Sequence, residues 1–346
     1  MEKKKSKRIV RILLLVGTIV SLYFVPWLLV KAWILPLPDT VQEQADQAID
    51  HGFEGLIVYI DQGGYEPQFI ASGWHDRELK IPADPHALFK IASVSKLYDA
   101  VAVTKLVGDG RLSLDKTVAD YLPELENRIE NADKITLRLM IQHRSGMPNF
   151  TDAPRFWEAP TETYEESLAL IDGLPANFEP GEDYEYCNTN YLLINKIMDD
   201  VLGYDNFQFI REEILTPLNL SNTYNSLKEV DIDRVMGGYH VGYPLNLKEG
   251  GERGMLATAQ DVGTFLRALN DGTVFKPGEK EIYASIYEYE HGGWIPGYQS
   301  FTEYHKDLDA VIIEFYSTTD AKLLYWNLSE IINNRIVKIL KKQQSK

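Results

Sequence analysis

Extended segments lie near both ends of this chain, and helical segments lie between them. Residues 55–60 and 68–74 are short runs with β-branched and aromatic residues, and residues 298–304 and 310–317 form a second such pair. Pairs of this kind predict hairpins, whose strands run antiparallel, whereas a doubly wound parallel sheet requires alternating strands and helices. The sequence therefore predicts an α+β fold: an antiparallel sheet built from N- and C-terminal strands, flanked by helices, with a mainly helical inserted subdomain.

Three stretches show apolar residues at helical spacing. The first covers residues 94–108 and the second residues 191–203, and both end at a glycine. A last helix is predicted from about residue 322 onward. The middle of the chain, roughly residues 115–275, is mixed but mainly helical, and we find no internal repeat in it.

Charge and cysteine content exclude several classes of function. The 346 residues carry 35 Lys and Arg against 51 Asp and Glu, a net charge of -16. Seven of these Lys and Arg residues, but only one of the acids, lie within residues 1–31. The rest of the chain is therefore strongly acidic, which disfavours nucleic-acid binding. The single cysteine, Cys187, forms neither an intramolecular disulfide nor a cysteine-based metal site. No metal and no cofactor are predicted.

Residues 12–30 contain no charged side chain and follow a basic cluster. Nineteen helical residues cover about 28 Å, close to the thickness of a bilayer's hydrocarbon core. We therefore predict a transmembrane signal anchor at 12–30, a cytoplasmic basic tail at 1–11 and a linker at 31–50. A cleaved signal peptide and a buried core helix are the alternatives.

This topology places residues 51–346 outside the cytoplasm. The basic cluster precedes the predicted span, and the positive-inside rule leaves such a cluster in the cytoplasm. The predicted location is thus the cytoplasmic membrane, crossed once, with an extracytoplasmic folded domain. The membrane is the first predicted partner, and the sequence leaves the oligomeric state open.

Ser93 and Lys96 lie where an extended segment turns into a helix. A serine at a helix start is close to free backbone N–H groups that favour negative charge, and a lysine three residues later lies on the same face. This spacing lets the amine reach the hydroxyl. The alternative is a helix-capping serine followed by a solvated lysine.

Two further segments carry candidate site residues. Tyr186 and Asn188 precede the second helical stretch, and a tyrosine becomes a base where nearby cations stabilise its phenolate. His291 is followed by Gly292, Gly293 and Trp294, and glycines let a ligand approach a strand backbone closely. The alternatives are an ordinary loop tyrosine beside a capping asparagine, and a structural histidine beside a turn.

Taken together and in this order, the three motifs resemble those of the serine β-lactamase and penicillin-binding protein superfamily. The resemblance is to the branch with class C β-lactamases, D-Ala-D-Ala carboxypeptidases and related esterases, in which an S-x-x-K, a Y-x-N and a [K/H]-x-G motif meet in one cleft. It extends to several longer stretches, at residues 89–124, 137–150, 178–203, 254–272 and 291–300.

The resemblance implies a role for each catalytic candidate. Ser93 is expected to be the nucleophile that forms an acyl-enzyme. Lys96 and Tyr186 are expected to share proton transfer, and either can be the base. The backbone N–H groups of Ser93 and Trp294 are expected to form the oxyanion hole.

The resemblance also implies substrate-binding residues, namely Asn188, His291, Gly293 and Trp294. Asn188 is expected to orient both the substrate and the Lys96 ammonium. His291 replaces the lysine of many family members, so we expect a cation that titrates near neutrality in place of a fixed charge. We expect Cys187 to be a small filler and His143 to brace a turn.

These observations predict a membrane-anchored, extracytoplasmic serine hydrolase that works through an acyl-enzyme on Ser93. Its expected substrate is a D-Ala-containing peptide or ester of the cell envelope, or a simpler small-molecule ester. Two alternatives remain at this point. One is a catalytically weak, penicillin-binding-protein-like domain that binds or senses a ligand, and the other is a β-lactamase.

Overall fold

The computed structural model describes residues 2–251 and 253–344. In chain order, the strands within these residues are β1 (Gly55–Gln62), β2 (Gln68–Asp76), β3 (Ile81–Pro82), β4 (Phe89–Lys90), β5 (Thr223–Ser226), β6 (Tyr239–His240), β7 (Arg253–Ala257), β8 (His291–Ile295), β9 (Tyr298–His305), β10 (Ala310–Tyr316) and β11 (Thr318–Thr319). The first residue of the predicted basic tail, Met1, and the last two residues of the predicted domain lie outside the described residues.

The α-helices fall into an N-terminal group, a middle group and a C-terminal helix. They are α1 (Glu2–Tyr23), α2 (Trp27–Ile34), α3 (Val41–Asp50), α4 (Ser95–Gly108), α5 (Val118–Tyr121), α6 (Leu137–Ile141), α7 (Tyr164–Ala169), α8 (Asn188–Leu202), α9 (Asn206–Ile210), α10 (Ala259–Asp271), α11 (Glu279–Ala284) and α12 (Leu324–Gln344). Short 3₁₀ turns connect several of them.

The main sheet has six strands in the order β3-β2-β1-β10-β9-β8, and every neighbouring pair is antiparallel. Its two central strands come from opposite ends of the chain, with Leu56 paired to Tyr316 and Gln62 to Ala310. The predicted α+β fold, with an antiparallel sheet closed by the first and last segments, is confirmed.

The central strands bury side chains on both faces of the sheet. Along β1, Ile57 and Tyr59 join the larger hydrophobic core, whereas the alternate residues Leu56, Val58 and Ile60 join a second core on the opposite face. Successive side chains of a strand point to opposite faces, so an uninterrupted apolar run indicates a strand covered on both sides. Helices α3 and α12 cover one face, and α10 with the helical subdomain covers the other.

The segment before α4 brings the helical subdomain onto the sheet. Strand β4 pairs with β7 in a separate three-stranded sheet, and the chain then makes one 3₁₀ turn, Ala92–Val94, before α4 begins at Ser95. Ala92 has a φ of 50°, in the left-handed region that residues with a side chain rarely adopt. Strain of this kind is often found at functional sites.

The predicted span does not form one straight helix. Helix α1 ends at Tyr23 and α2 begins after Pro26, and the two helices are bent by 81° relative to each other. Proline removes a backbone N–H donor and clashes with the preceding turn, which breaks a helix. Within the described residues no single helix is long and apolar enough to cross a membrane, whereas Arg11–Tyr23 and Trp27–Ile34 together meet that criterion by length and composition.

Residues 31–50, predicted as a linker, pack against the folded domain. Ala45 and Ala48 of α3 are buried in the second core. The Arg335 guanidinium of α12 donates hydrogen bonds to the carbonyl oxygens of Leu35 and Pro36 and to the side chain of Gln44, at 2.6–2.8 Å. A linker prediction could not foresee these contacts, because their donor lies almost 300 residues away in sequence.

Candidate active site

Ser93 lies in the 3₁₀ turn immediately before α4, at the edge of the main sheet. Its hydroxyl oxygen accepts hydrogen bonds from the Lys96 ammonium at 3.2 Å and from the Tyr186 hydroxyl at 2.7 Å. Lys96 follows Ser93 by three residues, so the start of α4 brings its side chain back over the serine. The structure thus brings together the three predicted catalytic residues, and the Ser93 oxygen is in contact with both groups that the resemblance assigns to proton transfer.

Lys96 is buried, and its ammonium has few polar contacts. Besides Ser93, it donates a hydrogen bond to Asn188 Oδ1 at 2.9 Å. It also lies above the aromatic rings of Tyr186 and Tyr191, at 5.1 and 5.2 Å from their centroids. Aromatic ring faces attract cations at such distances.

Asn188 is fixed in orientation by the loop before α7. Its backbone N–H donates to Asn149 Oδ1, and its side-chain Nδ2 donates to Thr151 Oγ1, both at 3.0 Å. Because Nδ2 is engaged by Thr151, Oδ1 is directed at Lys96. Neither Asn149 nor Thr151 was predicted as a site residue, although Asn149 lies within the family-like segment 137–150 and Thr151 directly follows it.

His143 packs against the ring of Tyr186. The two rings stack at 4.4 Å with an interplanar angle of 25°, and His143 Nδ1 accepts a hydrogen bond from the backbone N–H of Cys187 at 3.0 Å. Burial, followed by the charges of Lys96 and His291, lowers the pKa of His143 to about 3. His143 therefore acts as a neutral brace for the Tyr186 segment. Cys187 is buried beside it and donates to Met147 O, as expected for a small filler.

Strand β8 forms the opposite wall of the site. It is the edge strand of the main sheet, and it packs against the 3₁₀ turn that carries Ser93. A side chain at Gly293 would collide with Ile91 O and with the Ser300 hydroxyl. Only glycine permits this approach of the strand backbone to the serine turn. The oxyanion-hole role of the Trp294 N–H remains a prediction.

His291 lies near Tyr186 but does not titrate near neutrality. Burial is the main cause of its lowered pKa, the Lys96 charge adds to that effect, and the pKa is about 4. Its ring stacks on Tyr287 at 6.0 Å, and its Nδ1 is 2.5 Å from Gly292 O. The expectation of a cation near neutral pH is therefore wrong, because the sequence did not reveal how closely His291 is enclosed beside an ammonium. His291 is a neutral polar group at pH 7.

Aromatic side chains form the rim of the site. Trp294 makes an edge-to-face contact with Trp157 at 5.6 Å and a similar contact with His240 at 6.3 Å. Trp157 is 38% exposed. Trp157 and His240 were not predicted, because they come from a loop and from the short strand β6, which only the fold places near β8. Among residues 2–251 and 253–344, no group of three or more His, Cys, Asp or Glu side chains is arranged to hold a metal ion.

A known protein family matches most of this chain. A family model described as Beta-lactamase matches residues 37–285. The third motif, at residues 291–294, lies beyond the matched range, and the structure nevertheless places it at the site. Among curated proteins, the chain is 26% identical to "Protein flp" of Staphylococcus aureus over 193 residues, covering 54% of this chain and 39% of the relative. The match thus spans less than half of that relative's length.

Solved structures share the fold. The D-amino acid amidase from Ochrobactrum anthropi SV3 has a TM-score of 0.77 at 22% identity, and the alignment covers 88% of this chain and 98% of the amidase. The penicillin-binding protein from Bacillus halodurans has a TM-score of 0.72 at 18% identity, covering 86% of this chain and 99% of that protein.

Proposed function

The chain belongs to the beta-lactamase family of serine hydrolases, and on this premise we propose that it is a membrane-anchored serine acyl hydrolase outside the cytoplasm. Its proposed substrate is a D-alanyl ester or amide of the cell envelope. The observation that carries the proposal is the pair of hydrogen bonds from Lys96 and Tyr186 to the Ser93 hydroxyl oxygen.

The proposed reaction has two balanced steps. Ser93 Oγ attacks the substrate carbonyl while its proton passes to Lys96 or Tyr186, and the C–O or C–N bond breaks as the leaving group receives a proton. Water then attacks the acyl-serine and releases the acid and free Ser93. Backbone N–H groups of the serine turn and of β8 would stabilise the oxyanion in both steps.

The charges around the cleft support a substrate without a carboxylate near His291. A neutral imidazole offers a hydrogen bond but no fixed positive charge. Asp152 follows Thr151, and Glu185 precedes Tyr186, so both acids flank the hydrogen-bonded site residues. Burial and the charge of Glu185 raise the pKa of Asp152. Two acids next to the site residues along the chain favour a substrate that carries an ammonium, as an alanyl ester with a free amine does.

The N-terminal helices support the membrane-anchored part of the proposal. Large apolar side chains of α1 are exposed, including Leu13, Leu14 and Ile19 at 59–66%. Exposed aromatic residues then follow at Tyr23, Phe24 and Trp27. Apolar residues followed by an aromatic belt are typical of segments that cross from the hydrocarbon core into the membrane interface.

Steady-state hydrolysis by the full chain in detergent micelles tests the proposal. The substrates are a D-alanyl ester with a free amine, its N-acetyl form, an acyl-D-Ala-D-Ala peptide and a chromogenic cephalosporin. We expect the free-amine ester to have the highest kcat/KM. The Ser93→Ala variant should lose this activity, and the matched Ser95→Ala variant should retain it.

The other outcomes would overturn the proposal in recognisable ways. A folded protein that binds these compounds but turns none of them over would be a binding or sensor domain. Preferential turnover of the cephalosporin would identify a β-lactamase. Hydrolysis that survives in Ser93→Ala would assign the chemistry to another residue.

A further inference from the structure

Helix α2 is apolar on two opposite faces, and the folded domain covers one of them. Ala32 is 1% exposed, and Leu28 and Leu29 pack against the second core. Residues three and four positions apart on a helix lie on the same face, so these three form one surface. This covered face of α2 packs against α12.

The other face of α2, formed by Trp27, Val30, Trp33 and Ile34, is its outer face. Trp27 and Ile34 are seven residues apart, about two turns, and they are 55% and 65% exposed. Trp33 is 72% exposed. Lys31 is the one charged residue of this helix. A helix that is apolar on all sides is typical of a protein core or of a lipid environment.

The bend before α2 sets its direction relative to α1. The two helices are bent by 81°, so α2 lies almost in the membrane plane when α1 crosses the bilayer. The Trp27 indole N–H and the Val25 N–H both donate to Leu22 O, at 3.0 and 3.3 Å. Backbone polar groups at membrane depth need partners within the protein, and these bonds supply them at the break.

The segment that follows α2 is fixed to the folded domain. The Arg335 guanidinium of α12 donates to the carbonyl oxygens of Leu35 and Pro36, at 2.8 Å each. It also donates to the side-chain oxygens of Gln44 and Gln47, at 2.6 and 3.2 Å. A planar guanidinium has five N–H donors in a fixed arrangement and can hold several acceptors at once. The position of α2 relative to the sheet is therefore fixed at its C-terminal end.

We propose that α2 is an interfacial helix whose outer face lies in the headgroup boundary of a lipid bilayer while its covered face stays on α12. The folded domain is then docked on the membrane in one orientation, with its active site at a constant height above the bilayer. This inference rests on the membrane-anchored part of the proposed function and goes beyond it by assigning the docking surface.

The helix before α2 favours lipid over a protein partner for the outer face. Leu13, Leu14, Leu15 and Val16 are consecutive residues of α1, so they point in all directions around it, and each is at least 50% exposed. Lipid is the environment that accepts such a helix. Helix α2 begins four residues after α1 ends, so the same bilayer meets the outer face.

The composition of the outer face matches a membrane interface. Tryptophan is enriched at headgroup level, because its ring is apolar and its N–H is polar, and the outer face carries Trp27 and Trp33. Lys31 is exposed beside this face, and a lysine stem can lie along apolar surface while its ammonium reaches the headgroups. Interfacial helices bury an apolar face at this boundary.

Depth-dependent fluorescence quenching in the full chain tests the proposal. Val30→Cys and Ile34→Cys are labelled separately with a small fluorophore, and the protein is reconstituted into phosphatidylcholine vesicles that contain spin-labelled lipids. Both labels should lie about 15 Å from the bilayer centre, at the edge of the hydrocarbon core. Their depths should agree within about 3 Å, whereas a straight helix would separate them by about 6 Å.

Three further positions serve as controls. Ala32→Cys, on the covered face, should be protected both from thiol reagents and from lipid quenchers. Leu174→Cys, at an exposed position of the helical subdomain on the other side of the sheet, should react readily and escape quenching. Leu15→Cys in α1 should be quenched by the deepest lipid label. Cys187 is buried, so the unmutated chain gives the labelling background.

Three results would overturn the inference. Depths that differ by about 6 Å, with a reactive Ala32→Cys, would show that α2 leaves α12 and continues the span. Labels at Val30→Cys and Ile34→Cys that iodide quenches and lipids do not would place the outer face in water. Labels shielded from both quenchers would show that a second copy of the chain covers it.

Failure of the membrane anchor itself is a separate result. In that case the label at Leu15→Cys would also escape lipid quenching, and the anchoring proposal would be refuted together with this inference. Quenching at Leu15→Cys without quenching at Val30→Cys and Ile34→Cys would refute this inference alone.

Discussion

The two ends of α4 each carry a buried lysine, and the two lysines have different surroundings. Lys105, near the C-terminal end, donates to Glu279 Oε2 at 3.2 Å and to Val274 O at 2.8 Å. Glu279 is also buried and accepts a further hydrogen bond from the Lys276 N–H. The ion pair at this end has its partners, as buried charges in stable cores do.

Lys96, at the N-terminal end, contacts neutral oxygens instead. Its hydrogen bonds go to Ser93 and Asn188, and among the described residues no carboxylate lies within ion-pair distance of its Nζ. The same residue type on the same helix thus forms an ion pair at one end and, in the proposed mechanism, contributes to chemistry at the other. The identity and charge of the partner determine which role a buried lysine has.

Replacing each lysine by methionine should give the largest difference between the two ends of α4. Lys96→Met should lower kcat by about 10²–10⁴, the range for loss of a group that acts in proton transfer, with little loss of stability. Lys105→Met should leave Glu279 buried without its cation and destabilise the fold by about 3–5 kcal/mol. Steady-state kinetics and denaturant unfolding of both variants measure the two effects.

The control for this pair is the double change Lys105→Met with Glu279→Gln, which removes both charges. It should recover much of the lost stability, because an uncompensated charge is costlier than a missing ion pair. Equal activity losses in the two single lysine variants, after correction for the folded fraction, would contradict the division of roles.

Gly293→Ala tests whether the backbone of β8, beside the Ser93 turn, also matters for catalysis. The new methyl group should push β8 away from the Ser93 turn and lower kcat by about 10²–10³, as loss of an oxyanion-hole donor does. Gly250→Ala is the matched control, since a side chain there would meet only Leu247 O, at 3.6 Å. If kcat of Gly293→Ala stayed near the wild-type value, β8 would not take part in catalysis.

The two histidines enclosed beside Lys96 should make stability depend on pH. The pKa values of His143 and His291 lie near 3 and 4 in the fold, against 6.5 for an ordinary histidine. The unfolded chain binds more protons than the fold below pH 6.5, so stability should fall as pH decreases from 6.5 toward 4. Each histidine contributes at most about 1.4 kcal/mol per pH unit. Thermal unfolding of His291→Gln should show a shallower decline, and an unchanged slope would refute the assignment.

The opposite face of the sheet should respond to pH with the opposite sign. Burial against α12 raises the pKa of Glu314 to about 8, and Tyr316 and Asn333 hydrogen-bond its carboxyl group. Because the fold binds this proton more tightly than the unfolded chain, the contribution of Glu314 should decrease as pH rises from 4.5 to 8. In Glu314→Gln the stability between pH 6 and 9 should be flatter, whereas kcat should not change. Parallel curves for both proteins would show that Glu314 is ionised in the fold.

Much of the fold was predictable because its signals are local. The runs at 55–60 and 310–317 are apolar and β-branched, and they became the two central strands. The glycine after residue 202 ends α8 in a left-handed conformation, as a helix-ending glycine does. The meeting of Ser93, Lys96 and Tyr186 followed from the resemblance, which carries information on tertiary structure that spacing alone does not.

What escaped prediction depends on contacts between distant residues. The packing of α3 is established by Arg335 and by burial of small residues such as Ala45. The neutral state of His291 follows from enclosure beside Lys96 and not from its own sequence neighbours. The span at 12–30 was predicted from its number of apolar residues. That number does not show that Pro26 separates α1 from α2.

Localisation of the acyl group tests the central claim most directly. The full chain would be mixed with an activated D-alanyl ester, quenched with acid within the first turnover, digested and sequenced by tandem mass spectrometry. We expect one D-alanyl group on Ser93, and none on the neighbouring Ser95. Acylation of Ser95, Tyr186 or Cys187 in place of Ser93, or hydrolysis with no acylated peptide under conditions that trap one in a known serine acyl hydrolase, would contradict it.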